Sequence, residues 1–477
     1  MQSEVKVFER EKGKFQRVHV VRWDEWEKLE FLPLQQNKLR EQIRALGCFR
    51  DIYVNYIVPV FPWIIPQIVM YSLPDDVSVE TIDSKKYGKV TDRSIAASIM
   101  LQKGVKIKNG KPVFADNEVE KLWRSLEIRD CIHIISGKLP HTHVINVSKN
   151  AGYLSENVKC SQMKVNANFF IMDPFDCATI YDQIGAVLGL CVKNGKVINP
   201  PMYNREALLV KMNGEVLISQ IDIRDLSIEI DGVTYEHGKN ATIHTRPERA
   251  KTPLRGGTSL VIVGNRVVAV KEGGSVEIPT SGFVLHLPKK PVLNGNVTRC
   301  GGQTIPCVDV VEGEDGYGIQ PGAEVIYHGL EDIRFGIQVG NSIVKDGRRT
   351  KDFISKFYDI KHFPSTPFPP SLYPLDYEKA RAARIALGTD RDGKPVLFWA
   401  EGAGKFGIHA ENDSTGASLS EMADIAIELD LIDAVNLDGG GSAQILLNNE
   451  RSLMISDRKK EDNTEAERLV PIGLLVK

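Results

Sequence analysis

The residues best suited to chemistry lie in one short segment, Asn436 to Ser442, which reads Asn-Leu-Asp-Gly-Gly-Gly-Ser. Its three consecutive glycines place bare backbone beside one carboxylate, Asp438, and one hydroxyl. Without Cβ atoms the chain can take positive φ angles, and a ligand can approach the backbone N–H groups closely. N–H groups that converge in this way bind anions. The predicted contacts to a phosphate or a sugar hydroxyl are Gly439, Gly440, Gly441 and Ser442.

A plainer interpretation of this segment is a turn between two strands. Glycine runs between apolar stretches are often turns, and an Asp before Gly commonly caps its own turn. The segment is not a dinucleotide-binding fingerprint, because its glycines are contiguous and lead into another strand-like run rather than a helix. The choice between turn and site therefore depends on the other polar segments of the chain.

Those segments lie at the ends of other apolar runs. Upstream, Arg384 begins one run, and a second run, 396–400, ends at Glu401 and a glycine. Downstream, Ser456-Asp457 and Glu467-Arg468 follow the glycine segment. Much earlier in the chain, Asn166 ends a short strand-like run.

In this order the segments resemble the phosphodiester glycosidase family. The matching pieces are Arg384-x-Ala386-x-Gly388, the acidic residue and glycine at 401–402, the Asn436–Ser442 segment, Ser456-Asp457 and Glu467-Arg468. Asn166–Phe170 is similar to the family's Asn-Ala-Gly-Phe-Phe strand end, and Gln338–Asn341, which contains Gly340, to its central glycine motif. The resemblance covers about 130–477.

The chain also departs from the family pattern. Asn168 stands where the family usually has Gly, Ile171 follows Phe170 in place of an acidic residue, and Glu401 replaces a usual Asp. These changes affect the rim of the expected pocket, and hence the identity of the substrate, more than its centre.

The resemblance implies hydrolysis of a sugar-1-phosphodiester, such as an N-acetylglucosamine-1-phosphodiester, at the anomeric carbon with release of free sugar. Positive charge that develops on the sugar calls for carboxylates, and the departing phosphate calls for a cation and hydrogen-bond donors. Asp438 and Glu401 are the implied carboxylate pair, expected to face one cleft with Arg384. The planar fork of Arg384 suits two phosphate oxygens. Acid, base and nucleophile are left unassigned, as is retention or inversion.

The implied substrate-binding residues are Asn166, Gly340, the glycine turn and Arg468. Each polar side chain also has a structural interpretation. Asn166 could cap its strand end, and Arg384 could form a structural ion pair with Glu467. Arg468 more readily pairs with Asp457 and holds the C-terminal segment in place.

The elements that position these residues are mostly short strands. Asn-Gly turns at 194–195 and 213–214 predict two hairpins. Ser418-Leu-Ser-Glu421 is a capping box that begins an amphipathic helix, and the helix leads into the strand before the glycine turn. We predict an α+β fold with a β-rich mixed sheet core and flanking helices. A catalytic domain over 130–477 would follow an additional N-terminal region, 1–125, to which the sequence assigns no role.

Bulk properties exclude several classes of function. The 477 residues contain 60 Lys and Arg against 62 Asp and Glu, a net charge of −2 that argues against a nucleic-acid partner. The most apolar stretch, 57–71, is short and broken by prolines, so no transmembrane segment is expected. The histidines and cysteines show no metal-ligand spacing, so neither a metal nor another cofactor is expected. The oligomeric state is not indicated.

The first residues contain no apolar stretch typical of a signal peptide. We therefore expect either a cytoplasmic location or export with a leader that this sequence lacks.

Two rival functions follow from the same residues. One is a glycosidase or transferase that acts on cell-wall or exopolysaccharide glycans. The other is a carbohydrate-binding module that uses the same cleft without catalysis. A sugar-phosphate or glycan ligand is common to all three hypotheses.

Overall fold

The structure is a computed structural model. It describes residues 1–11, 14–34, 151–157, 159, 161–171, 179, 181, 185–201, 205–246, 248–289, 317–350, 381–402, 414–452, 454–457, 465 and 467–477, and the backbone of the strands between 41 and 148 and of two strands between 291 and 312. No helix in this described part is long and apolar enough to cross a membrane.

The first eighteen strands, in chain order, are Gln2–Glu11 (β1), Lys14–Arg22 (β2), Leu29–Pro33 (β3), Glu41–Ala45 (β4), Asp51–Val58 (β5), Gln67–Met70 (β6), Ser78–Asp83 (β7), Val105–Lys108 (β8), Lys111–Phe114 (β9), Cys131–Pro140 (β10), His143–Ser148 (β11), Met163–Asn166 (β12), Phe169–Phe170 (β13), Val187–Leu188 (β14), Cys191–Lys193 (β15), Lys196–Asn199 (β16), Arg205–Lys211 (β17) and Val216–Ile221 (β18). The remaining strands are Ser227–Ile230 (β19), Val233–Tyr235 (β20), Thr242–Thr245 (β21), Arg255–Val263 (β22), Arg266–Gly274 (β23), Gly282–Leu287 (β24), Pro291–Cys300 (β25), Gln303–Glu312 (β26), Val325–His328 (β27), Ile333–Ile337 (β28), Ser342–Lys345 (β29), Arg348–Arg349 (β30), Arg384–Asp390 (β31), Pro395–Ala400 (β32), Leu431–Asn436 (β33), Ile445–Leu447 (β34), Glu450–Arg451 (β35) and Ile472–Val476 (β36). The helices are an α-helix, Leu419–Glu428 (α1), and the 3-10 turns Trp26–Lys28, Ile223–Asp225 and Gly440–Ser442.

Two sheets form the part of the fold that carries the candidate residues. A seven-stranded sheet has the order β1-β2-β32-β31-β33-β29-β30, and a five-stranded sheet has the order β3-β36-β12-β34-β35. Their apolar faces share one core, to which the first sheet contributes Ile385 and Val435 and the second contributes Val165 and Leu474. Alternation of side chains leaves the other face of the seven-stranded sheet available for a second layer.

That second layer is α1. The Ser418 side chain accepts a hydrogen bond from the Glu421 backbone N–H, and the Glu421 side chain accepts one from the Ser418 backbone N–H. The apolar side chains of α1 pack against side chains of the seven-stranded sheet, including Ala386 and Phe398. The capping box and helix are therefore confirmed.

The remaining described strands form smaller antiparallel sheets, among them β16-β15-β28-β17-β18 and β21-β24-β22-β23. Both predicted Asn-Gly hairpins are present, β15–β16 and β17–β18. The β-rich part of the predicted fold class is confirmed. Flanking helices are not, because α1 is the one α-helix in the described residues.

The first strands do not stand apart from the rest of the chain. Strand β2 pairs antiparallel with β32, and β3 pairs with β36. Strands β1, β2 and β3, which belong to the predicted N-terminal region 1–125, therefore complete both sheets of the C-terminal part. The alternation of polar and apolar residues within 14–22 predicts a strand but does not identify the strand that pairs with it. The pairing of β2 with β32 could therefore not be predicted from sequence.

Candidate active site

Four segments of the chain meet at one end of the seven-stranded sheet. Because β31 runs antiparallel to β32 and β33, its first residue lies beside their last residues. The Gly440 N–H donates to the Ala383 carbonyl at 2.7 Å, which joins the glycine turn to the start of β31. The Ser456 hydroxyl donates to the Gly402 carbonyl at 3.2 Å, which brings the C-terminal segment to the same place.

Arg384 and Asp438 form the centre of this end. Ala386 pairs with Asn436, and continuing that register by two residues places Arg384 opposite Asp438. The Leu437 N–H bonds to the Ile385 carbonyl at 2.8 Å, so the ladder does continue beyond the last strand residue. Both side chains are nearly buried, with exposed fractions of 7% and 8%.

The charged guanidinium of Arg384 is largely buried away from solvent. Burial lowers the pKa of the Arg384 guanidinium to about 10, although the negative charge of Asp438 acts in the opposite direction. The guanidinium remains protonated at neutral pH. Its Nε donates to the Ala417 carbonyl at 3.3 Å, just before α1. A buried cation of this kind favours additional negative charge from a ligand.

Glu401 lies at the end of β32 and is bound by two residues of β2. Arg17 Nη1 donates to Oε2 at 2.5 Å, and His19 Nε2 lies 2.8 Å from Oε1. Burial raises the pKa of the Glu401 carboxyl, but the hydrogen bonds and charges of His19 and Arg17 outweigh it, so the pKa is lowered. Glu401 is therefore an ionised, nearly buried carboxylate.

Arg384 and Glu401 lie on opposite faces of the sheet. Arg384 is paired with Ala400, so these two side chains share the face covered by α1. Glu401 is the next residue, and its backbone N–H continues the ladder to the Arg17 carbonyl at 3.0 Å. Its side chain therefore points to the other face. The two groups therefore reach the same end of the sheet from opposite faces, and the cleft shared by Arg384, Asp438 and Glu401 stays a prediction.

Asn166 connects β12 to the glycine turn. Its Nδ2 donates to the Asp438 carbonyl at 2.8 Å, and its Oδ1 accepts from the Gln444 N–H at 2.8 Å. One side chain thus holds the backbone on both sides of the three glycines. This arrangement favours the structural interpretation of Asn166, and a contact with sugar stays a prediction.

At each of the three positions of the turn, a specific steric or backbone constraint favours glycine. A Cβ atom at Gly439 would lie 2.5 Å from the Ala383 carbonyl oxygen, and Gly440 has a φ of +60°. A Cβ at Gly441 would lie 2.1 Å from both Arg468 Nη2 and Asp457 Oδ1. The Gly440 N–H is already bonded to protein, so it is not directed at an anion in this structure.

Arg468 pairs with Asp457, as the structural interpretation predicted. Its Nε and Nη2 donate to Asp457 Oδ2 at 3.1 and 2.9 Å, and its Nη1 donates to the Ser442 hydroxyl at 2.8 Å. Glu467 instead bonds to the Ser155 N–H at 3.0 Å and pairs with Arg451. The alternative role of Arg384, a structural ion pair with Glu467, is therefore not seen among the contacts of the described Glu467.

Gly340 lies beside Asn436, a residue that the sequence analysis left without a role. The Gly340 N–H donates to the Asn436 carbonyl at 2.8 Å, and a Cβ at Gly340 would lie 2.7 Å from Asn436 Nδ2. Asn436 is fully buried, yet neither Nδ2 nor Oδ1 has a hydrogen-bond partner among the described residues. Because an unpaired buried amide is costly, a polar ligand or a water molecule is its expected partner.

Arg17, His19 and Asn436 are the site residues that sequence reasoning missed. Arg17 and His19 alternate with valines on β2, a pattern that marks one polar face of a strand but not its neighbour. Asn436 is the first residue of the glycine segment and was treated only as part of the motif. Across the described residues no cluster of three or more His, Cys, Asp or Glu side chains is arranged to hold a metal ion.

Comparison with known proteins finds a family match in the C-terminal part of the chain. Residues 256–477 match the sequence model described as phosphodiester glycosidase. This part of the chain is therefore similar to the phosphodiester glycosidase family. The match contains Arg384, Glu401, Asp438 and the glycine turn, whereas His19 lies outside it.

Two named glycosidases and one uncharacterised structure show how far the similarity extends. Human N-acetylglucosamine-1-phosphodiester alpha-N-acetylglucosaminidase is 37% identical over 89 residues, which is 19% of this chain and 16% of the human protein. The crystal structure of a hypothetical protein from Synechocystis is 13% identical, with a TM-score of 0.35, and covers 100% of this chain and 97% of that one. The catalytic domain of the zebrafish N-acetylglucosamine-1-phosphodiester alpha-N-acetylglucosaminidase is 14% identical, with a TM-score of 0.24, and covers 57% of this chain and 81% of that one. The two TM-scores are too low to support a conclusion about the fold. The phosphodiester glycosidase assignment therefore rests on sequence.

Proposed function

We propose that this chain hydrolyses the bond between the anomeric carbon of a sugar and the oxygen of its 1-phosphodiester. The products are the free sugar and a phosphate monoester. The human relative is named for N-acetylglucosamine-1-phosphodiester, and we propose a substrate of that class.

The observation that carries the proposal is the buried Arg384–Asp438 pair at the end of the seven-stranded sheet where β31 begins. Desolvation lowers the pKa of Arg384, so a ligand with negative charge close to the guanidinium offsets part of the cost of burial. A phosphodiester has one such charge and two free oxygens, which match the two-pronged guanidinium. An ordinary glycoside has neither.

The reaction itself needs few protein groups. Water adds to the anomeric carbon, the bond from that carbon to the phosphate oxygen breaks, and its electron pair stays on the phosphate. Arg384 would stabilise the charge that returns to the phosphate, and a carboxylate would take the proton from water. Asp438 and Glu401 are the carboxylates available for this step.

The position of Glu401 limits how the substrate can lie. Since Arg384 and Glu401 occupy opposite faces, a ligand that meets both must lie across the ends of β31 and β32. In that orientation the phosphate would lie near Arg384 and the sugar near Glu401. Asn436, whose amide has no hydrogen-bond partner in the described part of the chain, lies on the face of Arg384 and would bind a polar group of the ligand.

The test is turnover by the full chain on matched substrates. We expect release of free sugar from methyl N-acetylglucosaminyl phosphate and slow or no hydrolysis of an aryl N-acetylglucosaminide. Asp438→Asn should lower kcat on the diester by about a hundredfold or more, which is the range for loss of a general acid or base. Asp433→Asn is the matched control, because it changes an Asp of β33 that lies away from the glycine turn.

Two results would contradict the proposal. Faster turnover of aryl glycosides than of diesters would indicate an ordinary glycosidase. Binding of the sugar with no turnover of any phosphoglycoside would indicate a carbohydrate-binding module.

A further inference from the structure

We propose that His19 and Arg17 are positioning residues of this site, which hold both carboxylate oxygens of Glu401 in place for hydrolysis. The inference rests on the proposed function. It concerns residues outside the matched family region, 256–477, and makes the N-terminal strand a part of the active site.

The two carboxylate oxygens of Glu401 have separate partners on β2. His19 lies 2.8 Å from Oε1, whereas Arg17 donates to Oε2 at 2.5 Å. Because each oxygen has its own donor, rotation of the carboxylate about its terminal bond would break both contacts. Charge-assisted hydrogen bonds of this kind are stronger than neutral ones. The orientation of Glu401 is therefore set by β2 and not by its own strand.

The His19 ring is itself held in place by β32. Its ring stacks on the Trp399 indole with centroids 4.9 Å apart and an angle of 3° between the planes. His19 and Trp399 are also direct partners in the β2–β32 register. The orientation of the imidazole is therefore set by the Trp399 indole and by the pairing of β2 with β32, independently of its contact with Glu401.

A purely structural ion pair is the main alternative. The β2–β32 ladder already pairs five residues of each strand, from Val18–Ala400 to Arg22–Val396. Stability alone does not require an ion pair at the end of this ladder. Apolar side chains of similar size often stabilise a fold as much as a buried ion pair does. The presence of two donors on one nearly buried carboxylate is better explained if the site needs that carboxylate in its ionised form.

The experiment compares pH profiles of kcat/KM on methyl N-acetylglucosaminyl phosphate for the full chain and three variants. His19→Leu removes the donor, whereas His19→Gln keeps an amide N–H of similar reach. The control is Arg22→Met, which removes a charge from the same strand where its guanidinium bonds to the Leu429 carbonyl, away from Glu401.

Loss of the His19 donor should raise the pKa of Glu401, so that the carboxylate is protonated at higher pH. We therefore expect the acidic limb of the profile to move up by about one pH unit in His19→Leu, with a loss of kcat/KM that approaches tenfold on that limb and is smaller at pH 8. His19→Gln should recover part of the shift. Arg22→Met should leave the limb where it is.

Each result decides between named outcomes. A His19→Leu profile that is uniformly lower but unshifted would overturn the inference and leave the proposed function standing. Partial recovery by His19→Gln separates this result from simple misfolding of the leucine variant. Absence of wild-type turnover on any diester would overturn the proposed function itself, and the inference with it.

Discussion

Arg384 faces Asp438 across the antiparallel ladder of β31 and β33, two residues beyond the last paired position of β33. Each is nearly buried, and each supplies the opposite charge for the other. Replacing one member of such a pair leaves an uncompensated charge, so substitutions here affect stability as well as chemistry. The predictions below separate the two effects.

Arg384 should discriminate between substrates with and without phosphate. We expect Arg384→Lys, which keeps the charge but loses the planar fork, to lower kcat/KM on a sugar-1-phosphodiester by about a hundredfold. Any residual hydrolysis of an aryl glycoside should change less than tenfold. Initial rates on both substrates measure the difference. Equal losses on the two would show that Arg384 only supports the fold.

Among the buried carboxyl groups of the described residues, Asp433 and Glu401 should give opposite pH dependence of stability. Burial raises the pKa of Asp433, so its native state binds a proton that the unfolded state has lost, and stability falls as pH rises through that window. Asp433→Asn should therefore raise the Tm at pH 7 relative to wild type, with the gain vanishing near pH 3. The pKa of Glu401 is lowered, so its contribution is present above the unfolded-state pKa and is lost as pH falls.

Thermal unfolding between pH 3 and 8 measures both effects. Glu401→Gln should lower the Tm at pH 7 and converge with wild type in acid, the reverse of Asp433→Asn. The same direction of change in both variants would contradict the assignment of opposite pKa shifts.

Asn436 should show a trade between stability and function. Leucine has nearly the shape of asparagine, so Asn436→Leu removes two unpaired amide atoms without a large change in volume. We expect the free energy of unfolding to rise by about 1 kcal/mol, because the desolvation cost of the amide is removed. Activity on the diester should fall at the same time. A variant that is both less stable and fully active would show that Asn436 serves the fold alone.

Gly441 should be intolerant of even one methyl group. A Cβ there would lie 2.1 Å from Arg468 Nη2 and Asp457 Oδ1, so Gly441→Ala must separate that ion pair. We expect a loss of about 3 kcal/mol in the free energy of unfolding, as found for overpacking and broken buried pairs. Gly256→Ala is the matched control, since its Cβ would meet only the flexible end of Lys289. A similar change in Tm for both variants would contradict the prediction.

Local signals in the sequence predicted local structure well. The Ser418–Glu421 capping box and the Asn194-Gly195 turn depend on neighbours within a few residues, and both form as expected. The pairing of Arg468 with Asp457 was also expected, because both residues are in the same C-terminal segment.

Relationships that depend on register could not be predicted in this way. The sequence placed Arg384 and Glu401 at strand ends, but a shift of one residue in pairing changes which face a side chain occupies. Arg17 is separated from Glu401 by 384 residues, and no pattern in either strand identifies the other. The sequence left Asn166 as either a strand-end cap or a sugar ligand, because its two bonds beside the glycine turn depend on how β12 lies against β34.

The pairing of β2 with β32 has a consequence for synthesis of the chain. His19 leaves the ribosome 382 residues before the carboxylate that it contacts. The β1–β2 hairpin can form at once, but its valines stay uncovered until almost the whole polypeptide has been made. Contacts so distant in sequence are slow to form and leave apolar strands exposed to aggregation. Nascent chains stalled before residue 400 should therefore bind chaperones through this hairpin.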